Sequence, residues 1–340
     1  MQFSDFRNYS RKLTARKIWN GLRVLSSYYG GRITGRTFHP AWPVSISVEP
    51  TTACNLGCPE CPSGLKLFTR NTGNAKPDEV RSWLSQMSRH VTWVNFYFQG
   101  EPFIHPGFFD LVKHASQVGM YTSTSTNAHF LSPDQARKTV ESGLDRLIIS
   151  IDGTTQEVYE QYRVHGSLDK VLEGTRNIVA ARKELKSKTP HLIFQFLVVK
   201  PNEHQVADVK KLARDMGVDE VKFKTAQVYE FEHGNPLIPE NEKYSRYKKK
   251  ADGTYRIKNE LANHCWRMWS ACVITWDGMV VPCCFDKDAT HRMGSLRTHR
   301  FSDIWNNPTY RNFRAALFSS RRKIDICANC SEGTKVWTDA

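Results

Sequence analysis

No hydrophobic run in this chain approaches the roughly 20 residues that a membrane-spanning helix needs. The N-terminus carries no apolar leader of the secretory type. There are nine cysteines, an odd number that cannot pair completely. Without a secretory leader they imply a reducing compartment and metal binding, so the cytoplasm is the expected location. No nucleic-acid motif accompanies the net charge of +14, and no specific nucleic acid is expected as a partner. That charge suits an acidic substrate or an anionic surface. A hydrophobic content of 40% supports a sizeable core, and 340 residues fit a barrel with an appendage.

A further absence is local. Cys54-Asn-Leu-Gly-Cys58-Pro-Glu-Cys61 holds three cysteines, and the next one is Cys265. Three thiolates can hold three corners of an iron–sulfur cube and leave the fourth iron open to a substrate. A structural zinc site is the rival, but it normally shows paired knuckles and four ligands. Residues 44–50 alternate in the manner of a strand that Pro50 ends. The thiols therefore fall on a loop at the carboxyl end of a strand, where α/β folds place their chemistry.

Downstream, strands expected at 91–98, 120–126, 146–151, 192–199 and 221–225 alternate with helices at 77–90, 108–118, 132–142, 168–185 and 206–216. With the first strand this makes six units of a parallel sheet with right-handed crossovers, an α/β partial (β/α)6 TIM-like barrel. Three domains are expected: a basic N-terminal helical extension (1–43), the barrel (44–235) and a small C-terminal domain (236–340). In the extension, Leu13, Ile18, Trp19, Leu22, Leu25 and Tyr29 fall near helical spacing, and residues 1–36 carry eight Lys/Arg against one Asp. The expected arrangement packs this helix on the barrel with its basic face in solvent. Peripheral contact with an anionic membrane is the alternative. Gly30-Gly31 is expected to break the helix, and residues 226–262 to form an exposed linker.

The Cys54-x3-Cys58-x2-Cys61 spacing after a first strand resembles the signature of the radical S-adenosylmethionine (radical SAM) enzymes. The resemblance implies a [4Fe–4S] cluster on those cysteines, with SAM on the open iron as the source of a 5′-deoxyadenosyl radical. It also implies an electron donor such as flavodoxin or ferredoxin. Gly100-Glu101-Pro102 matches the family motif that meets the SAM amino group. Asn127 lies in a segment similar to the family's Thr-Asn-Gly, with Ala128 where glycine is usual. Ser150, before Asp152-Gly153, resembles a contact of the SAM carboxylate and ribose. Arg163 resembles an arginine that pairs with that carboxylate, and Gln195 or Val198 would border the adenine.

Cys265, Cys283, Cys327 and Cys330, with a hairpin turn at Asp277-Gly278, resemble the SPASM/twitch auxiliary-cluster domain. The implied ligand set holds a second, auxiliary [4Fe–4S] cluster, with zinc as the rival. Cys272 and Cys284 are left over, as buried thiols or, for Cys284, facing substrate. Asp286 is the candidate catalytic base. The single-cluster pattern implies net oxidation of a small molecule, a sugar or cyclitol alcohol. The alternatives are modification of a ribosomal peptide or protein side chain, and a non-catalytic cluster or zinc protein. Many peptide-modifying members carry a separate recognition domain longer than residues 1–43.

Overall fold

The computed structural model describes residues 2–258 and 260–330. The end of the expected C-terminal domain, residues 331–340, lies outside the described residues. In chain order the elements begin with α1 (Phe3–Ser10), α2 (Ala15–Thr34), β1 (Ser45–Val48), α3 (Pro62–Leu65), α4 (Pro77–Met87), β2 (Trp93–Asn95) and α5 (Phe108–Gln117). Then come β3 (Tyr121–Thr126), α6 (Pro133–Glu141), β4 (Arg146–Ser150), α7 (Gln156–Tyr162), α8 (Leu168–Glu184), β5 (His191–Val198), α9 (Val206–Met216) and β6 (Glu220–Thr225). The C-terminal part holds β7 (Tyr247–Lys249), β8 (Tyr255–Ile257), α10 (Arg267–Ser270), β9 (Ala271–Ile274), β10 (Met279–Val281), β11 (Gly294–Ser295), α11 (Phe301–Trp305), α12 (Pro308–Ser320) and α13 (Asp325–Ala328).

Strands β1 to β6 pair in parallel, each with the next, as the open barrel requires. The crossover helices start where their sequences cap them. Ser132 Oγ accepts from Gln135 N with Pro133 in the first turn, and Ser167 Oγ accepts from Lys170 N. Leu147, Ile149, Phe194, Phe196 and Val198 are fully buried beneath the helices. The opposite face is polar: Ser123, Ser125, Ser150 and Gln195 point into the barrel. Pairing sets Ser150 level with Gln195, so both reach the carboxyl end together.

The C-terminal part continues the same sheet. β9 pairs in parallel with β1, and the β9–β10 hairpin extends to β11, giving the order β11-β10-β9-β1-β2-β3-β4-β5-β6. Helix α1 closes the opposite end of the barrel. Its buried Asp5 accepts from Tyr121 and pairs with Arg146, at the starts of β3 and β4.

Three expectations need correction. The second strand is shorter than residues 91–98, because the chain leaves the sheet after Asn95 to enter the site. Residues 226–262 are not an exposed linker: β7 and β8 form a hairpin, and Val228, Leu237, Ile238 and Tyr247 bury a second small core with Leu56 and Tyr162. Helix α2 also runs through Gly30-Gly31, since Gly31 packs against Trp269 and Phe318, and stops at Gly35 in the left-handed conformation. This helix buries Lys17, Asn20, Val24, Tyr28 and Gly31, and turns Ile18, Trp19, Leu22, Leu25 and Tyr29 to solvent, the reverse of the expected packing.

Candidate functional site

The loops that follow β1 to β4 and the end of β5 converge on one cavity of about 230 Å³, walled in part by Cys54, Cys58 and Cys61. The cysteine loop is held by its neighbours' backbones. Gly57 N donates to Val164 O at 2.9 Å, Glu101 N to Ala53 O at 2.8 Å, and Gly100 N to Ser63 Oγ at 2.9 Å. Gly100 has φ +76°, and a Cβ there would lie 2.3 Å from Thr51 O. Only glycine fits so close to the chain leading into Cys54.

Burial pushes the Cys54 thiol up to about 11 and raises Cys58 as well, against the pull of the Arg163 guanidinium. At neutral pH these thiols keep their protons until a metal displaces them. An Arg163 N–H donates to Cys58 Sγ at 3.7 Å, placing a cation beside the thiolate that would form. Among the described residues no three His, Cys, Asp or Glu side chains close on a single metal ion. Soft thiolates around an open cavity, with arginine alongside, fit a larger iron–sulfur cluster.

Gly100, Glu101, Asn127, Ser150, Arg163 and Gln195 all line this cavity. Glu101 is buried, and its carboxylate accepts from Asn127 N at 2.7 Å, Thr126 Oγ1 at 2.8 Å and Phe103 N at 3.1 Å. Burial still raises its pKa to about 7. The side chain therefore ties the ends of β2 and β3 together. Asn127 Nδ2 donates to Asn55 Oδ1 at 2.7 Å, fixing the cysteine loop from the β3 side. Ser150 Oγ lies 3.4 Å from Ser125 Oγ. Arg163 donates from Nε to buried Asp152 at 2.5 Å, so Asp152 does more than shape its turn: it aims the guanidinium at the cavity.

Two expected residues lie elsewhere. Val198 is fully buried in the main core, because side chains alternate along β5 and only Gln195 and Leu197 face the cavity. Leu197, its neighbour in the strand, lines the cavity instead. Pro102 is buried at the start of a 3-10 turn and is not part of the wall.

The second cysteine set gathers around Arg321. This arginine donates to Cys330 Sγ at 3.3 Å and feels the charges of Cys265 and Cys327. Burial raises the Cys283 pKa strongly, and the nearby thiols of Cys284, Cys265 and Cys330 push it the same way. Burial likewise pushes Cys327 up to about 12. Four thiols beside an arginine, Cys327 and Cys330 buried and Cys265 and Cys283 half-buried, fit a second cluster with every corner held by protein. Cys272 is a buried thiol under Tyr310. Cys284 packs near Phe98, a wall residue of the first cavity, and so stands between the two cysteine sets.

Asp286 is buried, and its two oxygens accept from Thr290 N and Oγ1 at 2.8 Å and from His291 N at 2.9 Å. That carboxylate clamps its own loop. Its neighbour Lys287 was not anticipated. Lys287 Nζ donates to Tyr229 Oη at 2.7 Å and lies 3.5 Å from Glu60 O, beside the cysteine loop; burial lowers its pKa. No local motif marks it, and Tyr229 sits in the stretch read as linker. Lys287, Tyr229, Leu65, Leu67 and Phe285 border an open groove of about 340 Å³.

Comparisons with known proteins agree with this geometry. A family model described as the radical SAM superfamily matches residues 48–213, and one described as an iron–sulfur cluster-binding domain, SPASM, matches residues 265–331. A tungsten-containing aldehyde ferredoxin oxidoreductase cofactor-modifying protein of Pyrococcus furiosus is 24% identical, covering 84% of this chain and 86% of its own. A PqqA peptide cyclase of Bradyrhizobium diazoefficiens is 28% identical over 58% of this chain, which spans only half of that relative. Streptococcus suis SuiB bound to S-adenosylmethionine shares the fold, with TM-score 0.64, 14% identity, and 97% and 81% of the two chains covered.

Proposed function

Since the chain belongs to the radical SAM superfamily and carries the iron–sulfur-binding SPASM domain, we propose that it modifies a side chain of a peptide or protein. It is an enzyme with a [4Fe–4S] cluster, S-adenosylmethionine and further iron–sulfur binding in its C-terminal part. The observation that carries the peptide reading is the groove beside the cysteine loop. Leu65, Leu67 and Tyr229 are exposed there, at the mouth of the site, with Asp286 and Lys287 behind them. An apolar, solvent-open groove suits an extended chain better than a sugar, which calls for an enclosed polar site. The similarity to a PqqA peptide cyclase supports the same choice. Oxidation of a small sugar or cyclitol, expected from the single-cluster pattern, has less behind it.

In this reading Cys54, Cys58 and Cys61 hold the first cluster, and Cys265, Cys283, Cys327 and Cys330 the auxiliary one. When bound, the first cluster and SAM supply a 5′-deoxyadenosyl radical that takes hydrogen from a C–H bond. Arg163, aimed by Asp152, receives the carboxylate end of SAM. Gln195 and Leu197 border the adenine, and Glu101 and Asn127 lock the three loops that shape the cavity. Lys287 and Tyr229 orient the peptide, and a reduced flavodoxin or ferredoxin delivers the electron.

The test is anaerobic turnover of the reconstituted enzyme with dithionite, SAM and either the peptide or the small-molecule fraction of a cell extract. We expect the peptide fraction to stimulate 5′-deoxyadenosine formation and to yield a peptide lighter by two hydrogens. Leu67→Asp should lower that yield about tenfold while leaving uncoupled SAM cleavage intact. Stimulation by the small-molecule fraction alone would overturn the peptide reading.

A further inference from the structure

Helix α2 is held on the protein by its polar side. Lys17 Nζ donates to Gly119 O at 2.6 Å. Asn20 bonds both the N–H and the carbonyl of Trp42, at 2.9 and 3.0 Å. Tyr28 Oη meets His264 Nδ1 at 2.9 Å. These bonds fix the helix rotation. At 3.6 residues per turn, the apolar stripe Ile18, Leu22, Leu25, Tyr29 and Ile33 then lies roughly 140° away from the buried side. It points straight into solvent, with Trp19 63%, Leu22 52% and Ile33 86% exposed. Phe38, 64% exposed, extends the stripe across an open groove of about 620 Å³. Nine of the thirteen exposed large hydrophobic side chains among the described residues lie between Phe3 and Phe38.

The charges on this face have one sign. Arg16 and Arg23 flank the stripe on one side and Arg32 on the other, and residues 11–36 contain no Asp or Glu. A second copy would bring like charges together, so self-association is disfavoured. An apolar stripe with aromatic residues and arginine flanks suits the headgroup region of an anionic bilayer. We propose that α2 and Phe38 form a docking face for an anionic phospholipid surface. The anchoring contacts of α2, at Trp42 and Gly119, lie at the starts of the strands. The cysteine cavity is at their carboxyl ends and would face away from the bilayer, open to its substrate.

Vesicle flotation of the full, cluster-loaded chain tests this. We expect it to float with phosphatidylcholine vesicles containing phosphatidylglycerol, and not with phosphatidylcholine alone. Trp19→Ser combined with Leu22→Ser should lower the bound fraction at least about tenfold, and so should Arg23→Gln combined with Arg32→Gln. Added salt should displace the wild type. These positions are exposed, so iron content and melting temperature should match the wild type and identify a variant that has merely misfolded. Failure of the wild type to float with the anionic vesicles would overturn the proposal. Flotation unaffected by the Trp19/Leu22 change would do so too. A dimer in sedimentation equilibrium that the same change dissolves would assign the face to self-association instead.

Discussion

At Gly100 the polypeptide backbone passes close enough to another strand of backbone that one methyl group decides whether the site forms. A Cβ would meet Thr51 O at 2.3 Å and Ala53 O at 2.9 Å, and neither is the yielding end of a side chain. The residue also holds φ +76°, which alone disfavours alanine by about 1–2 kcal/mol. Gly100→Ala should therefore destabilise the fold by about 2–4 kcal/mol, displacing the segment that carries Cys54. Urea unfolding and iron per chain after anaerobic reconstitution read the two consequences, and wild-type values in both would refute the steric argument. The residues proposed to hold metal, and the one that meets backbone, were legible because their chemistry is local: thiol spacing, or a glycine after a strand. Val198 was not, because facing the cavity or the core is a matter of strand parity, and the apolar run around it gives no phase. Asp286 is a different case. An acid after a cysteine says nothing of the Thr290 and His291 groups that occupy its oxygens.

The elements show how a pattern can be present and point the other way. The helical spacing of Ile18, Leu22, Leu25 and Tyr29 was plain, but which face packs was settled by Lys17, Asn20 and Tyr28 reaching specific partners. His39 adds to that clamp. It is buried between Ser27 Oγ at 3.0 Å and Trp269 O at 2.8 Å, so Nε2 donates to the carbonyl and the ring stays neutral. Burial, reinforced by the Arg314 charge, lowers its pKa from 6.5 to about 3. In that interval the unfolded chain binds the proton and the folded one does not, so stability falls as pH falls below the unfolded value. At pH 5 the loss is about 2 kcal/mol relative to pH 8. His39→Gln keeps a donor for Trp269 O but does not titrate. The stability difference between wild type and variant should shift by that amount across the range, read by tryptophan fluorescence during urea unfolding. An unchanged difference would mean that this histidine is not buried neutral.

On the scale of the whole molecule, three domains were expected, and two of them, the barrel and the C-terminal part, share one sheet. Strand β1 pairs with β2 on one side and with β9 on the other, so it serves both cysteine sets. Such pairing joins residues far apart in the chain, and no local pattern in 45–48 or 271–274 announces it. The joint has an electrostatic pin. Buried Glu49, just past β1, takes both arms of Arg70 at 2.6 and 2.8 Å and also accepts from Trp276 N in the hairpin turn at 3.2 Å. Removing one member of a buried pair leaves the other uncompensated, a loss of about 3–5 kcal/mol, whereas replacing both with apolar groups is often close to neutral. Arg70→Met should therefore lower the melting temperature markedly, and adding Glu49→Leu should restore most of it. If the shared sheet makes the two halves one cooperative unit, iron should leave both cysteine sets together in the single variant. Mössbauer or electron paramagnetic resonance spectra of the reconstituted proteins distinguish this from loss at one set alone, which would show that the halves fold separately in spite of the strand they share.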